Sequence, residues 1–117
     1  MTETAEAVFE NLILELRQEF PQTESGQMFG KRCLKVNGKA FACLFGEGMS
    51  FKLEGQDHQA ALKLELAELW DPSGKHRPMK AWVLVPVFHF DHWYSIASQA
   101  LLGVEQDQRI AGTKGKK

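Results

Sequence analysis

The sequence predicts a two-layer α+β domain, an antiparallel sheet with helices packed on its apolar face. Three observations carry this. A helix-spaced apolar stripe opens the chain, Asn37-Gly38 separates two strand-like runs, and a second helix-spaced stripe follows a late strand ending near Val87. The expected sheet is a meander plus that later strand, and the N-terminal and C-terminal helices cover one face of it.

The first helix follows from Val8, Phe9, Leu12, Ile13 and Leu16, which recur at helical spacing and leave Glu6, Glu10, Glu15 and Glu19 outside. Thr2 or Thr4 supplies a cap, and Pro21 stops the helix because the residue before proline is pushed away from helical angles. Gln22 to Gly26 reads as a polar connection. From Met28 to Leu53 the residues are strand formers. With Asn37-Gly38 as the turn, Val36 faces Lys39, Leu34 faces Phe41 and Arg32 faces Cys43. Leu34, Val36, Phe41, Cys43 and Phe45 then share one face, and Lys31, Cys33, Lys35, Ala40, Ala42 and Leu44 share the other. A three-residue loop of Gly46, Glu47 and Gly48 keeps Met49, Phe51 and Leu53 on the apolar face, whereas a two-residue loop puts this strand out of phase.

Asp57 is a candidate cap for a helix through about Leu66, although Leu62, Leu64 and Leu66 also alternate as a strand would, so 62–70 is open between the two. Asp71-Pro72-Ser73-Gly74 is a turn that continues as a basic loop to Pro78. Ala81 to Val87 is a strand with apolar residues on both faces, so both faces need cover, and Pro86 marks an edge or a break in its ladder. Asp91 is expected to cap a last helix carrying Trp93, Ile96, Ala97, Ala100 and Leu101, with Gly103 ending it. The domain therefore spans 1–103, and 104–117 is expected to be a flexible polar and basic tail.

The chain has 117 residues, 44% hydrophobic and 10% aromatic, enough for one core and too apolar for wholesale disorder. The longest apolar run, Val83 to Phe88, is too short to span a membrane, and the acidic Met1 to Glu10 stretch is unlike a secretory leader. A cytoplasmic protein with no membrane partner is the expectation. The net charge of −1 is a cancellation. Residues 1–24 carry six acids and one base, whereas residues 27–52 carry five bases and one acid.

The parity above places Cys33 and Cys43 on opposite faces, where a disulfide has poor geometry, in keeping with a reducing compartment. Cys33 then lies between Lys31 and Lys35, whose charge favours a thiolate, but no histidine or acid is placed to act as its base. His89-Phe90-Asp91-His92 contains metal-ligand types without a further partner at suitable spacing, and Asp91 already has a use as a cap, so no metal or cofactor is expected. Gly74-Lys75 is no phosphate loop, because Leu69 and His76 stand where glycine and a hydroxyl residue are needed. Lys31, Lys35, Lys52, Lys75, Arg77 and Lys80 remain as candidate contacts to an anion or nucleic acid. Ala40, Ala42, Leu44, Trp82 and Leu84 form a candidate interface on the lysine-bearing face, covered either by a loop or helix of the same chain or by a second subunit.

The stretches Met28-Phe29-Gly30, Leu34 to Ala42 and Phe51-Lys52-Leu53 resemble the TfoX N-terminal domain family, with its Phe-Gly, its "dGkmFA" hairpin and its "LYLK" strand. Pro78 to Val83 and the helix beyond are similar to the related MmcQ/YjbR-like proteins. The similarity spans roughly residues 8–102 and is most specific at the hairpin. It implies a small α+β domain, often dimeric and without a catalytic centre, and in the YjbR-like group a double-wing surface for DNA. The sequence departs from TfoX in lacking its C-terminal domain, which puts a competence role in doubt. The leading expectation is a non-enzymatic interaction or regulatory domain that forms a homodimer or binds another protein. A nucleic-acid binder using the basic residues comes second, and an enzyme or small-ligand protein centred on Cys33, Trp82 or His89 third.

Overall fold

The computed structural model describes residues 4–28 and 30–114 and shows the expected α+β architecture. Helix α1 (Ala5–Glu19) is followed by strands β1 (Thr23–Met28), β2 (Lys31–Val36), β3 (Lys39–Phe45) and β4 (Gly48–Lys52). Helix α2 (Gly55–Leu62), strands β5 (Glu68–Trp70) and β6 (Met79–Pro86), a 3-10 turn (Val87–His89) and helix α3 (Phe90–Lys114) complete the order. The six strands form one sheet, β1-β2-β3-β4-β6-β5, antiparallel throughout.

The N-terminal helix forms as its spacing dictates. Thr4 Oγ1 accepts from the amide of Ala7 at 3.1 Å, and Val8, Phe9, Leu12, Ile13 and Leu16 are all buried. They meet Leu34, Val36, Phe41, Met49, Phe51, Val83 and Val85 from the sheet, and Trp93, Ala97, Leu101 and Val104 from α3. Arg32 fastens this layer to β2: it pairs with Glu10 at 2.7 Å and lies over the Phe9 ring.

The polar stretch after Pro21, expected as a connection, is instead edge strand β1, which pairs along the whole of β2 from Thr23↔Val36 to Met28↔Lys31. Its only buried residue is Thr23, so it carries no apolar alternation for a sequence reading to find.

The register of the meander differs from the expected one in two places that offset each other. Asn37 and Gly38, at φ +52° and +80°, form the expected turn and pair Val36 with Lys39. A β-bulge follows: Lys35 pairs with Ala40, but Leu34 pairs with Ala42 and Cys33 with Cys43, leaving Phe41 as the extra residue. Phe41 and Ala42 therefore both join the helix-covered core, and Cys43 turns to the opposite face. The next turn has two residues, not three, with Phe45 paired to Gly48 and Gly46 at φ +57° in the first central position. The bulge supplies the half-period that the shorter turn removes, so Met49 and Phe51 still reach the core. Gly48 is required by its neighbour, because a Cβ there would stand 2.8 Å from the Val85 carbonyl oxygen.

Three boundaries also differ. Glu54 precedes α2, which begins before Asp57 and ends at Leu62, and 63–70 forms a turn and the short strand β5. Helix α3 starts at Phe90, so Asp91 lies in its first turn and does not cap it. Gly103 does not end α3, which continues to Lys114 where a tail was expected. Burial of Val104 and a bond from Gln108 Nε2 to the Val36 carbonyl at 3.1 Å hold the added turns against the sheet. Pro86 behaves as expected: it pairs with Gly48, beyond the last residue of β6 that β5 reaches. No helix among the described residues is long and apolar enough to cross a membrane.

Candidate functional site

The face of the sheet away from the helices is not bare. Cys33, Cys43, Trp70 and Trp82 form a second buried cluster there, flanked by Met28, Ala40, Phe45, Met79 and Leu84. The cover comes from β5. Its ladder with β6 slips between Leu69 and Trp70, and the Trp70 ring lies 5.4 Å from that of Trp82 and edge-on to Phe45 at 5.6 Å. Ser50, the buried β4 residue opposite Cys43, is small and gives its hydroxyl proton to the Cys43 carbonyl at 3.3 Å. Trp82 is thus closed off by the same chain, through Trp70 and not through the loop or C-terminal helix considered from sequence.

This arrangement divides the expected interface. Ala40, Trp82 and Leu84 belong to the outer cluster, whereas Ala42 and Leu44 lie with the helix-covered core because of the bulge. The five residues share no surface. Cys33 is likewise not the exposed, lysine-activated thiol expected. It is fully buried, and burial raises its pKa against the opposing pull of Lys35. Burial pushes the Cys43 thiol up to about 12, with Cys33 adding to the shift and Lys31 opposing it. Neither is a ready nucleophile.

The candidate cationic residues occupy separate places. Lys31 lies over the Phe45 ring at 5.2 Å, and the Lys35 chain runs beside Gly26 of β1. Lys52 borders a groove of about 340 Å³ between α2 and α3, among Glu54, Asp57 and Asp107. Lys75 and Arg77 sit on the β5–β6 loop, which its own Asp71 organises. That carboxylate accepts from Ser73 Oγ, from the Gly74 amide at 3.1 Å and from the Arg77 amide at 3.2 Å, and the Ser73 bond first, then the amides, lower its pKa. The amides that would cradle a phosphate are already occupied by an internal anion. Lys80 follows at the start of β6, where its carbonyl accepts from His58 Nε2 at 2.8 Å.

His89 donates from Nε2 to the Glu65 carbonyl at 2.9 Å, and its ring lies 6.0 Å from that of His92. Among the described residues no three His, Cys, Asp or Glu side chains converge on a point a metal could occupy. The His89 bond has a different consequence: it holds the 3-10 turn against the loop before β5, where Leu66 sits at φ +67° with 72% of its surface exposed. Leu66 lines a shallow recess of about 260 Å³ with Phe45, Leu84 and Pro86, and Glu47 and Glu68 also border it. Phe88, 53% exposed, stacks on His89 at 4.1 Å. This apolar rim at one end of the sheet was not singled out from the sequence. Its signal was Leu66 itself, which belongs to the Leu62, Leu64, Leu66 alternation in the sequence but lies in the turn between α2 and β5.

No family model, no curated protein and no solved structure matches the chain.

Proposed function

We propose that the chain acts by binding and not by catalysis, as an interaction domain that pairs with a second copy of itself through the Leu66 rim. The carrying observation is Leu66, held in the left-handed region and turned outward beside Phe45, Leu84 and Pro86. A branched residue in that conformation costs stability, and its exposure returns nothing to the isolated domain. Burial against an apolar partner offsets both. Of the third expectation, centred on Cys33, Trp82 or His89, burial and the raised thiol pKa values count against Cys33 and Trp82, and His89 is engaged by the Glu65 carbonyl. The resemblance to the often dimeric TfoX N-terminal domains agrees with this reading.

Sedimentation velocity over a wide concentration range tests it. The wild type is expected to shift toward dimer as concentration rises, and Leu66→Lys to remain monomeric with an unchanged unfolding transition. A wild type that stays monomeric at the highest concentration defeats the proposal.

A nucleic-acid role remains the second reading. Lys31 and Lys35, two residues of the outer face of β2 spaced by four, are its best support. Binding that weakens steeply with added salt and is reduced in Lys31→Glu and Lys35→Glu would favour it.

A further inference from the structure

The bulge at Phe41 has a chemical result on the other face, where Cys33 stands directly opposite Cys43 on the neighbouring strand. Counting from Phe45↔Gly48, which closes the two-residue turn, Cys43↔Ser50 is a hydrogen-bonded pair. Both backbone polar groups of Cys43 therefore point to β4. Its pairing with Cys33 is of the non-hydrogen-bonded kind, in which Cα atoms stand about 4.5 Å apart and side chains are closest. That spacing lies inside the window of about 4.4–6.8 Å that a disulfide spans. Both side chains belong to one buried cluster, and both are free thiols.

We propose that Cys33 and Cys43 are a redox pair that closes into a cross-strand disulfide, with a low-molecular-weight disulfide as oxidant. The Cys33 thiolate attacks one sulfur of the oxidant, whose S–S bond breaks and releases one thiol. The Cys43 thiolate then attacks the Cys33 sulfur of the mixed disulfide, and the second thiol leaves. Two protein thiols are oxidised, one disulfide is reduced to two thiols, and their protons pass to the leaving sulfurs. Cys33 attacks first: burial raises it against the pull of Lys35, whereas burial and then Cys33 push Cys43 up to about 12 despite Lys31. Both cysteines are buried in one cluster with Trp70 and Trp82, so exchange in the folded chain waits on its opening. Closure ties β2 to β3 next to the bulge and fixes the floor beneath Trp70.

The test is an equilibrium one, which slow access does not affect. The full chain is brought to equilibrium in glutathione redox buffers from both the reduced and the oxidised side, once folded and once in concentrated urea. Acid quenching, alkylation and intact mass then give the fraction closed. The effective concentration of the thiol pair is expected to be about tenfold or more higher in the folded chain, because a disulfide favoured by the fold must in turn favour the fold. A peptide linking residues 33 and 43 is expected after digestion, and no closed monomer from Cys33→Ser or Cys43→Ser. An effective concentration equal to or below that in urea overturns the proposal, as does a mixed glutathione adduct that accumulates without closure.

Discussion

At Leu66 the backbone adopts φ +67°, a region that costs an L-residue roughly 1–2 kcal/mol. The side chain does not offset that cost within the chain, since it is largely exposed. Leu66→Gly is therefore expected to raise monomer stability, by about 1 kcal/mol in urea unfolding, while abolishing self-association in the same preparation. Glycine regains the cost but has no side chain to bury. A loss of stability on this change would mean that Leu66 contributes to the fold in a way its exposure does not reveal. Asp71 is the opposite kind of residue, one whose polar atoms are fully used inside its own loop. Lys75 and Arg77 looked from sequence like the start of an anion site, because charge is visible in a sequence and an occupied amide is not.

Among the elements, β3 decides which residues meet. Its bulge places Phe41 and Ala42 on the same side and sends Cys43 outward. Deleting Ala42 keeps Phe41 inward and Cys43 outward, so a cooperative unfolding transition is expected to survive at reduced stability. Inserting one alanine after Cys43 inverts Leu44 and Phe45 and is expected to abolish that transition. Thermal unfolding followed by circular dichroism separates the two, and equal damage from both would show that the bulge itself is indispensable. The turn at Asn37-Gly38 and the buried stripe of α1 were legible because each rests on local chemistry, a left-handed turn and a 3.6-residue period. The bulge was not. Either a three-residue turn on a regular ladder or a two-residue turn with a bulge keeps Met49 and Phe51 inward, and alternation alone does not distinguish them. The consequence was large, because the same half-period decides whether the two cysteines are strangers or partners. Strand β1 was missed for another reason: on the edge of the sheet, its backbone pairing needs no apolar side chains.

The whole molecule is held together at a distance from its local signals. Helix α3 passes Gly103 because Val104 enters the core and Gln108 bonds the tip of the β2–β3 hairpin, donating to the Val36 carbonyl and accepting from Asn37 Nδ2 at 3.1 Å. Ending the chain after Gly103 removes a buried valine and both bonds. A loss of about 2–4 kcal/mol is expected in urea unfolding against the full chain. An unchanged midpoint would show that the extra turns of α3 lie on the domain without supporting it. At this scale the near-neutral net charge also finds its meaning. Acidic α1 and basic β2 are neighbours in one layer pair, and Arg32–Glu10 joins them.

The sequence by itself determined the fold class, the first helix, the hairpin turn and the two-faced character of β6, because each follows from periodicity or turn chemistry within a few residues. Only the tertiary structure decided the register of β3, the cover that Trp70 lays over the outer face, the apolar rim at Leu66 and the length of α3. These depend on contacts between residues far apart in the chain, where a single half-period or one long-range hydrogen bond selects between local patterns of equal merit.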